Sequence, residues 1–188
     1  METIWTEQRI DYDGSQLRAH WLLDAFGLVG DAAVAFRGGC RVSEAEMADL
    51  ADVDGPGIGA DEMLHFVWES FSTPDLLLAT HRQRLLAAQV REALAVAAPG
   101  VEVRRDGDDL YVGGGKLSIS IATLSPVSAL VHFAVNIAPT GAPVPIACLE
   151  QLGVDPEPFA ADVLDRLSRE QRSIADARAK VRCKGEWR

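Results

Sequence analysis

The chain has 188 residues, of which 48% are hydrophobic and 24% charged, a composition typical of one globular domain long enough to bury a core. Its formal net charge of -10 argues against a broad DNA- or RNA-binding surface, which would present Lys and Arg to the phosphates. The sequence has no apolar run of the roughly 20 residues that a membrane helix needs, and its acidic N-terminus is unlike a signal peptide. We therefore expect a cytoplasmic protein without a membrane partner.

The first part of the chain is predicted to form two strands and a helix. Residues 3–10 suit a short strand, DGSQ opens a helix that runs to Phe26, and Gly27 ends it. The apolar run at 32–37 is typical of a buried strand, and RGGCR (37–41) is then predicted to be a glycine-bearing loop. A short acidic helix is expected from Ser43.

The rest of the chain combines strands with two long helices. The aromatic and β-branched stretch 62–71 predicts a strand, and Thr73-Pro74-Asp75 predicts the start of a helix that ends near Ala97. Residues from Pro156 to about Arg182 predict a long charged helix. Four short strands are expected between these helices, at 101–105, 108–112, 116–124 and 128–137. Adjacent antiparallel strands with separate helices indicate an α+β fold.

Three glycines before Lys116 raise the question of a phosphate-binding loop. A Walker-type loop has Ser or Thr after its lysine and continues as a helix, whereas Leu117 and a strand follow here. The glycines are therefore predicted to form a hairpin turn, in which they supply positive φ without strain.

Polar and apolar residues alternate along the two predicted strands at 116–124 and 128–137. Side chains two apart share a face of a strand. If both apolar sets face one core and the strands pair, the polar side chains share the opposite face: Lys116, Ser118, Ser120, His132 and Asn136. A solvated face is one interpretation, since antiparallel sheets commonly wet one side. The small neighbours of Lys116 would equally leave room for a ligand, so both interpretations stay open.

The stretch DDLYVGGGKLSISI (108–121) resembles the core motif of biotin protein ligases, in which K-W-P-N-D-L-Y is followed by a turn and K-L-A-G-I-L. Asp109 and Lys116 stand at the spacing of that motif, and lipoate ligases carry a similar pattern. VHFAVNI (131–137) resembles a later strand of biotin ligases that ends G-I-N. AFRGGCR (35–41) and DYDGSQL (11–17) lie where those enzymes place a phosphate loop and a substrate-contacting helix start.

The whole chain, with its RIDYDGSQLR start, FRG segment and HRQRLL helix, is similar to a family numbered 366 among domains of unknown function. That family is placed with biotin and lipoate ligases and class II aminoacyl-tRNA synthetases. The resemblance implies a single α+β domain with a mostly antiparallel sheet flanked by helices. It also implies a ligase-like core at about 1–140 and a helical C-terminal extension at about 145–188.

The chemistry implied by the resemblance is activation of a small carboxylic acid by ATP and Mg²⁺ to an acyl-adenylate. Lys116 would be catalytic, since joining two anions requires fixed positive charge. Asp109, together with Asp108, would bind the metal. The residues implied in nucleotide binding are Arg37, Gly38, Gly39, Arg41 and Asp109. Those implied in substrate binding are Ser15, Gln16, Ser118, Ser120, His132 and Asn136.

Two alternatives remain open. The protein could be a non-catalytic protein that binds a small ligand or a partner, or an acyltransferase that needs no ATP and uses Lys116 or Cys40. Two arginines beside Cys40 would favour its thiolate.

The three cysteines, Cys40, Cys148 and Cys183, are otherwise expected to be reduced thiols, because they form no CxxC pair. The charged C-terminal helix suits either a solvated face or a homodimer surface.

Overall fold

The computed structural model describes residues 1–182 and 184–185, so Cys183 lies outside the described residues. A five-stranded sheet in the order β1-β2-β3-β8-β7 forms its centre. The strands are β1 (Glu2–Trp5), β2 (Ala32–Val42), β3 (Ile58–Ser70), β7 (Ser118–Leu124) and β8 (Ala129–Asn136). β1 pairs with β2 in parallel, and the other pairs of neighbours are antiparallel.

A second, small sheet is formed by β4 (Val103–Asp106), β5 (Asp109–Val112) and β6 (Gly115–Lys116). The helices are α1 (Trp21–Phe26), α2 (Leu76–Ala97), α3 (Leu149–Leu152) and α4 (Pro156–Lys180). This architecture is the predicted α+β fold. Within the described residues, no helix is both long and apolar enough to cross a bilayer.

The central sheet is covered on both faces. Helices α2 and α4 pack on one face, where Phe66, Trp68 and Phe133 form the centre of the larger core cluster. The segment at 10–28, which includes α1, covers the opposite face around Phe36 and Met63. Burial on both faces explains why β8 is buried along its whole length, including its polar residues.

The segment RGGCR was predicted to be a loop, which is wrong. It continues strand β2, pairing with β3 through a bulge between Gly38 and Cys40. The segment at 10–12 runs along the other edge, where the backbone N–H of Ile10 donates to the Arg37 carbonyl at 2.9 Å. A side chain on Gly38 would collide with the carbonyl of Ile10, so this glycine permits a close approach of two backbones.

Three other predicted elements differ from the structure. The strand expected at 3–10 is shorter, since β1 ends at Trp5. The helix expected from DGSQ to Phe26 is confined to α1, because Gly14 and His20 adopt left-handed backbone conformations before it. The strand expected at 116–124 is divided at Leu117 into β6 and β7, which belong to different sheets. Two of the three glycines, Gly113 and Gly114, form the predicted hairpin turn between β5 and β6 at φ of 56° and 86°, and Gly115 is the first residue of β6.

Candidate functional site

A cavity of about 280 Å³ lies against the β7–β8 end of the sheet, on the face opposite α2. Its floor is formed by side chains from the central strands: Met63, Ile119, Ile121, His132 and Asn136. Residues of the segment at 46–59, which comprises most of the connection between β2 and β3 and the first two residues of β3, form one wall. Residues 142–146 form another. The rim between them carries Asp108, Asp109 and Lys116.

Lys116 is fixed at the cavity by the hairpin that the glycines close. Its Nζ lies 2.8 Å from Oδ2 of Asp109, and the two side chains are 31% and 23% exposed. Burial alone would lower the pKa of Lys116, but the hydrogen bond and charge of Asp109 help to raise it above its ordinary value. Lys116 is therefore protonated at neutral pH and presents a fixed positive charge to the cavity.

Asp108 also borders the cavity, but both of its carboxylate oxygens accept hydrogen bonds within the protein. Its Oδ1 is paired with the guanidinium of Arg84. Its Oδ2 accepts from Nε2 of Gln83 and Oγ of Ser120, each at 2.7 Å. These contacts tie the turn before β5 to α2 and β7. The contacts of Asp109 with Lys116 and Tyr111 both use Oδ2, so among the described residues its Oδ1 accepts no hydrogen bond, unlike either oxygen of Asp108.

The prediction that the polar residues of both strands share a face is wrong. The register pairs Ser120 with Phe133 and Ile121 with His132, and directly opposed residues of an antiparallel pair project from the same face. Ser118 and Ser120 therefore project from the α2 face, whereas His132 and Asn136 project from the opposite face. Ser120, which lies on the edge strand β7, nevertheless lines the cavity beside Asp108. Ser118 is fully buried and its Oγ accepts a hydrogen bond from the backbone N–H of Leu110 at 2.9 Å.

His132 belongs to a buried stack of rings below the cavity. Its ring stacks on Tyr12 with centroids 3.7 Å apart, and its Nε2 lies 3.0 Å from Nδ1 of His65. Nε2 of His65 lies 3.2 Å from the carbonyl of Gly38, which can only accept a hydrogen bond. Nε2 of His65 therefore donates, and its Nδ1 accepts from Nε2 of His132. This chain leaves Nδ1 of His132 unprotonated.

Burial keeps both histidines neutral. It lowers the pKa of His65 to about 4, against the raising effect of its hydrogen bond to Gly38. Burial, followed by the interaction with His65, also lowers the pKa of His132 well below its ordinary value. No pattern in the sequence indicated that His65 would contact His132.

Asn136 lies beside Lys116 at the end of β8. Its Nδ2 donates to the carbonyls of Lys116 and Ala147, at 3.0 and 3.2 Å. Because both partners are carbonyls, the orientation of the amide is determined: the NH₂ group faces them and Oδ1 faces away. Asn136 is 3% exposed and lines the cavity.

The residues implied in phosphate binding lie outside the cavity wall. The guanidinium of Arg37 pairs with Glu62 at 3.2 Å and that of Arg41 with Asp61 at 2.9 Å. Gly38 and Gly39 are part of β2, and the backbone N–H of Gly39 donates to Asp11. None of the four contributes to the lining. Their roles in nucleotide binding remain predictions.

Ser15 and Gln16 also lie away from the lining, in a turn that they stabilise themselves. Oδ1 of Asp13 accepts from the backbone N–H and Oγ of Ser15, at 3.0 and 2.6 Å. The side chain of Gln16 bridges the backbone of Asp11 and Asp13. Tyr12 and Leu17, on either side of this turn, are the residues of the segment that reach the cavity.

Cys40 is not an activated thiolate, contrary to the prediction from its two neighbouring arginines. The side chain is fully buried, and burial raises the pKa of its thiol to about 12 against the lowering effect of Arg41. Cys148 is likewise a buried free thiol.

The segment at 46–59 adds a feature that sequence reasoning missed, an acidic border on the cavity formed by Glu46, Asp49 and Asp52. Partial burial raises the pKa of Asp52, as does repulsion from Asp49, while Lys116 opposes the shift. The acid-rich sequence EAEMADLADVD (44–54) indicates an acidic surface. Because the stretch has no helical or strand periodicity, the sequence does not indicate where in the fold that surface lies. Among residues 1–182 and 184–185, no three ligating side chains converge on a potential metal position.

A family model described as a domain of unknown function, DUF366, matches residues 1–182. The chain belongs to the DUF366 family. It is 35% identical over 160 residues to the uncharacterized protein MJ0805 of Methanocaldococcus jannaschii, covering 82% of this chain and 72% of that one. A solved protein of unknown function from Pyrococcus horikoshi is 42% identical, with a TM-score of 0.93 over 98% of this chain and 100% of the other.

More distant structures place the DUF366 fold among the biotin and lipoate ligases. A biotin protein ligase from Aquifex aeolicus, in complex with biotin and ATP, has a TM-score of 0.59 at 16% identity, covering 92% of this chain and 71% of that one. Protein Ta0514 from T. acidophilum, with bound lipoic acid, has a TM-score of 0.53 at 17% identity, covering 90% and 85%. These similarities show that the fold is ligase-like, as the Asp109–Lys116 motif predicted.

Proposed function

We propose that this protein is a ligase-like enzyme that binds ATP and a small carboxylic acid at the cavity and forms an acyl-adenylate. A carboxylate oxygen of the acid would bond to the α-phosphorus of ATP, and the bond from that phosphorus to the bridging oxygen would break to release pyrophosphate. The observation that carries the proposal is the charged Lys116, held by Asp109 at the rim of a cavity in a ligase-like fold. The biotin ligase of the same fold is solved with biotin and ATP.

Lys116 would act as a positive charge between two anions. Its raised pKa keeps it protonated, so it is poorly suited to attack a carbonyl as a nucleophile. Asp109 would hold the ammonium in place and thereby act as a positioning residue. With Cys40 fully buried as well, neither side chain supports the alternative of an acyltransferase that works through a covalent acyl-enzyme.

Mg²⁺ would supply the charge that the protein lacks for a triphosphate. Lys116 is the one Lys or Arg side chain among the described residues that line the cavity. Mg²⁺ in nucleotide sites commonly takes one or two carboxylates and completes its shell with phosphates and water. Asp109 and Asp52, whose charges both act on Lys116, are the residues that would hold it.

Pyrophosphate exchange into ATP, measured over a panel of small carboxylic acids, tests this function. We expect exchange with at least one acid and a loss of about 100-fold or more in Lys116→Ala, the usual effect of removing one preorganised charge-stabilising group. Lys180→Ala, at the exposed end of α4, is the matched control and should retain exchange. Exchange that survives Lys116→Ala would remove Lys116 from the chemistry.

A non-catalytic ligand-binding protein is the second candidate. It is favoured by the pairing of Arg37 and Arg41 with carboxylates and by their absence from the cavity lining, which leaves few donors for phosphates. Calorimetry with ATP and AMP in the presence of Mg²⁺ separates the two candidates. Binding of either nucleotide supports the ligase, and no binding supports the second candidate.

A further inference from the structure

A second cavity, also of about 280 Å³, lies towards the other end of β3. Glu69 lines this second cavity, whereas Met63 lines the first one. The two residues are an even number of positions apart and therefore share a face of the strand, at a separation of roughly 20 Å. No described residue lines both cavities. The second cavity is therefore a separate site that the proposed function does not use.

The walls of the second cavity are mainly apolar. Leu28 is buried, whereas Leu23 and Val29 are 41% and 78% exposed, so the last two mark the opening. His20 and Phe71 complete the wall, with their ring centroids 5.4 Å apart. Since a cavity of about 150 Å³ accommodates benzene, this cavity has room for a ligand of roughly ten carbon atoms.

Glu69 is the acidic residue of this cavity, and it is 1% exposed. The backbone N–H of His20 donates to both carboxylate oxygens, at 2.9 and 3.1 Å, and Oγ of Ser128 donates to Oε1 at 2.6 Å. These donors suit an ionised carboxylate, but they carry no positive charge. Within the described part of the chain, Glu69 forms no ion pair. Because an unpaired charge is costly to bury, a cation beside Glu69 would stabilise the protein.

The backbone of His20 has a conformation that residues with a Cβ rarely adopt. Its φ is 64°, and among the described residues it is the one residue other than glycine with a positive φ. This conformation costs about 1 kcal/mol or more, which the hydrogen bonds to Glu69 offset. It places the His20 ring beside Phe71. Because the face of a phenyl ring attracts cations, Phe71 adds to the attraction that Glu69 exerts on a positive charge.

We propose that the second cavity is a binding site for a small organic amine in its ammonium form. The ammonium would donate to the carboxylate of Glu69, and an alkyl or aryl body would pack against Leu23, Leu28, Val29 and Phe71. A buried unpaired carboxylate within apolar and aromatic walls is complementary to such a ligand. A metal ion would need further ligands, and among residues 1–182 and 184–185 no three ligating side chains converge.

Three probes separate the contributions of charge and apolar body: hexylamine has both, hexanol has the six-carbon body alone, and the ammonium ion has the charge alone. Calorimetry at neutral pH without nucleotide measures their affinities. We expect hexylamine to bind about tenfold more tightly than either of the other two, or better, because both halves of the cavity are then used. In Glu69→Gln, which removes the charge and keeps the size, the preference over hexanol should fall to about twofold or less.

The control variants distinguish the second cavity from the first. Asp49→Asn removes one negative charge from the lining of the first cavity and should keep the full preference for hexylamine. Val29→Lys adds an ammonium at the opening of the second cavity, and it should weaken hexylamine binding about tenfold even if Glu69→Gln does not fold. Val96→Lys adds the same charge at an exposed position of α2 outside both cavities and should leave the affinity unchanged.

The proposal is overturned if hexylamine does not bind, or binds no more tightly than hexanol. It is also overturned if the preference is lost in Asp49→Asn, or if it survives in Glu69→Gln or in Val29→Lys. The amine site does not depend on the proposed function, because the described residues that line the two cavities are different. A failure of pyrophosphate exchange would therefore contradict acyl-adenylate formation and leave the amine site standing.

Discussion

Two glycine-bearing segments carry the basic residues that the sequence associates with ligand binding, and the structure gives them different physical tasks. In the hairpin at 108–116, the glycines adopt positive φ and place Lys116 at the cavity rim. In the strand segment at 37–41, Gly38 is extended and lets the backbone of Ile10 approach. The same residue type therefore serves as a turn in one region and as a packing device in the other.

The charges of the two segments follow the same division. Lys116 keeps contact with the cavity while it pairs with Asp109. Arg37 and Arg41 pair with Glu62 and Asp61 of the neighbouring strand, and neither arginine lines the cavity. A glycine–arginine sequence alone does not indicate a phosphate site, because antiparallel neighbours can supply carboxylates that neutralise the arginines.

The packing role of Gly38 predicts the largest effect. Gly38→Ala should lower the free energy of unfolding by at least about 3 kcal/mol, since the new methyl group would meet a backbone carbonyl that cannot move independently. Gly39→Ala is the control, because its Cβ would have atoms no closer than 3.4 Å. Urea denaturation of both variants measures the difference. Equal destabilisation would mean that the close approach of Ile10 is not the reason for the glycine.

The histidine pair that links Gly38 to the cavity predicts the next largest effect. Both histidines have lowered pKa values in the folded protein, so the unfolded chain binds more protons at mildly acidic pH. Stability should therefore fall as the pH drops below the ordinary histidine value of 6.5 towards the value of about 4 for His65. Protonation of His65 is expected to cost about 2 kcal/mol by pH 5, and His132 should add to the loss in the same direction.

Urea denaturation between about pH 7 and pH 5 measures this loss, because most carboxylates titrate below that range. His81→Gln changes an exposed helical histidine and should leave the slope unaltered. A free energy of unfolding that stays constant over the range would contradict a neutral buried pair.

Much of the fold could be predicted from the sequence where a pattern was long or a turn residue was decisive. The helix start near Pro74 and the glycine turn before Lys116 are both present, although Asp75 caps α2 in place of Thr73. The shortened α1 could not be predicted, because the left-handed conformation of His20 depends on tertiary contacts. One such contact is the hydrogen bond from its backbone N–H to the buried Glu69.

The candidate site was predictable in part. The spacing of Asp109 and Lys116 has a direct geometric consequence, because a tight hairpin brings the two side chains together. The faces of Ser118 and Ser120 were not predictable, since the polar pattern is compatible with two registers and a shift of one residue exchanges the faces. The acidic border of the cavity, in the segment at 46–59, could not be predicted, because it depends on where an irregular segment lies in the fold.

The smallest effect is expected for Arg41→Ala. This substitution tests directly whether the basic residues of the segments 37–41 and 108–116 have different roles. Its side chain is 72% exposed and its partner Asp61 is 49% exposed, so solvent screens the ion pair and Arg41→Ala should change stability by less than about 1 kcal/mol. Because Arg41 does not line the cavity, pyrophosphate exchange should stay within about twofold of the unmodified protein, while Lys116→Ala in the same assay loses it. If Arg41→Ala lost nearly as much pyrophosphate exchange as Lys116→Ala, β2 would take part in phosphate binding after all. It would mean that the Arg41–Asp61 pair opens when nucleotide binds.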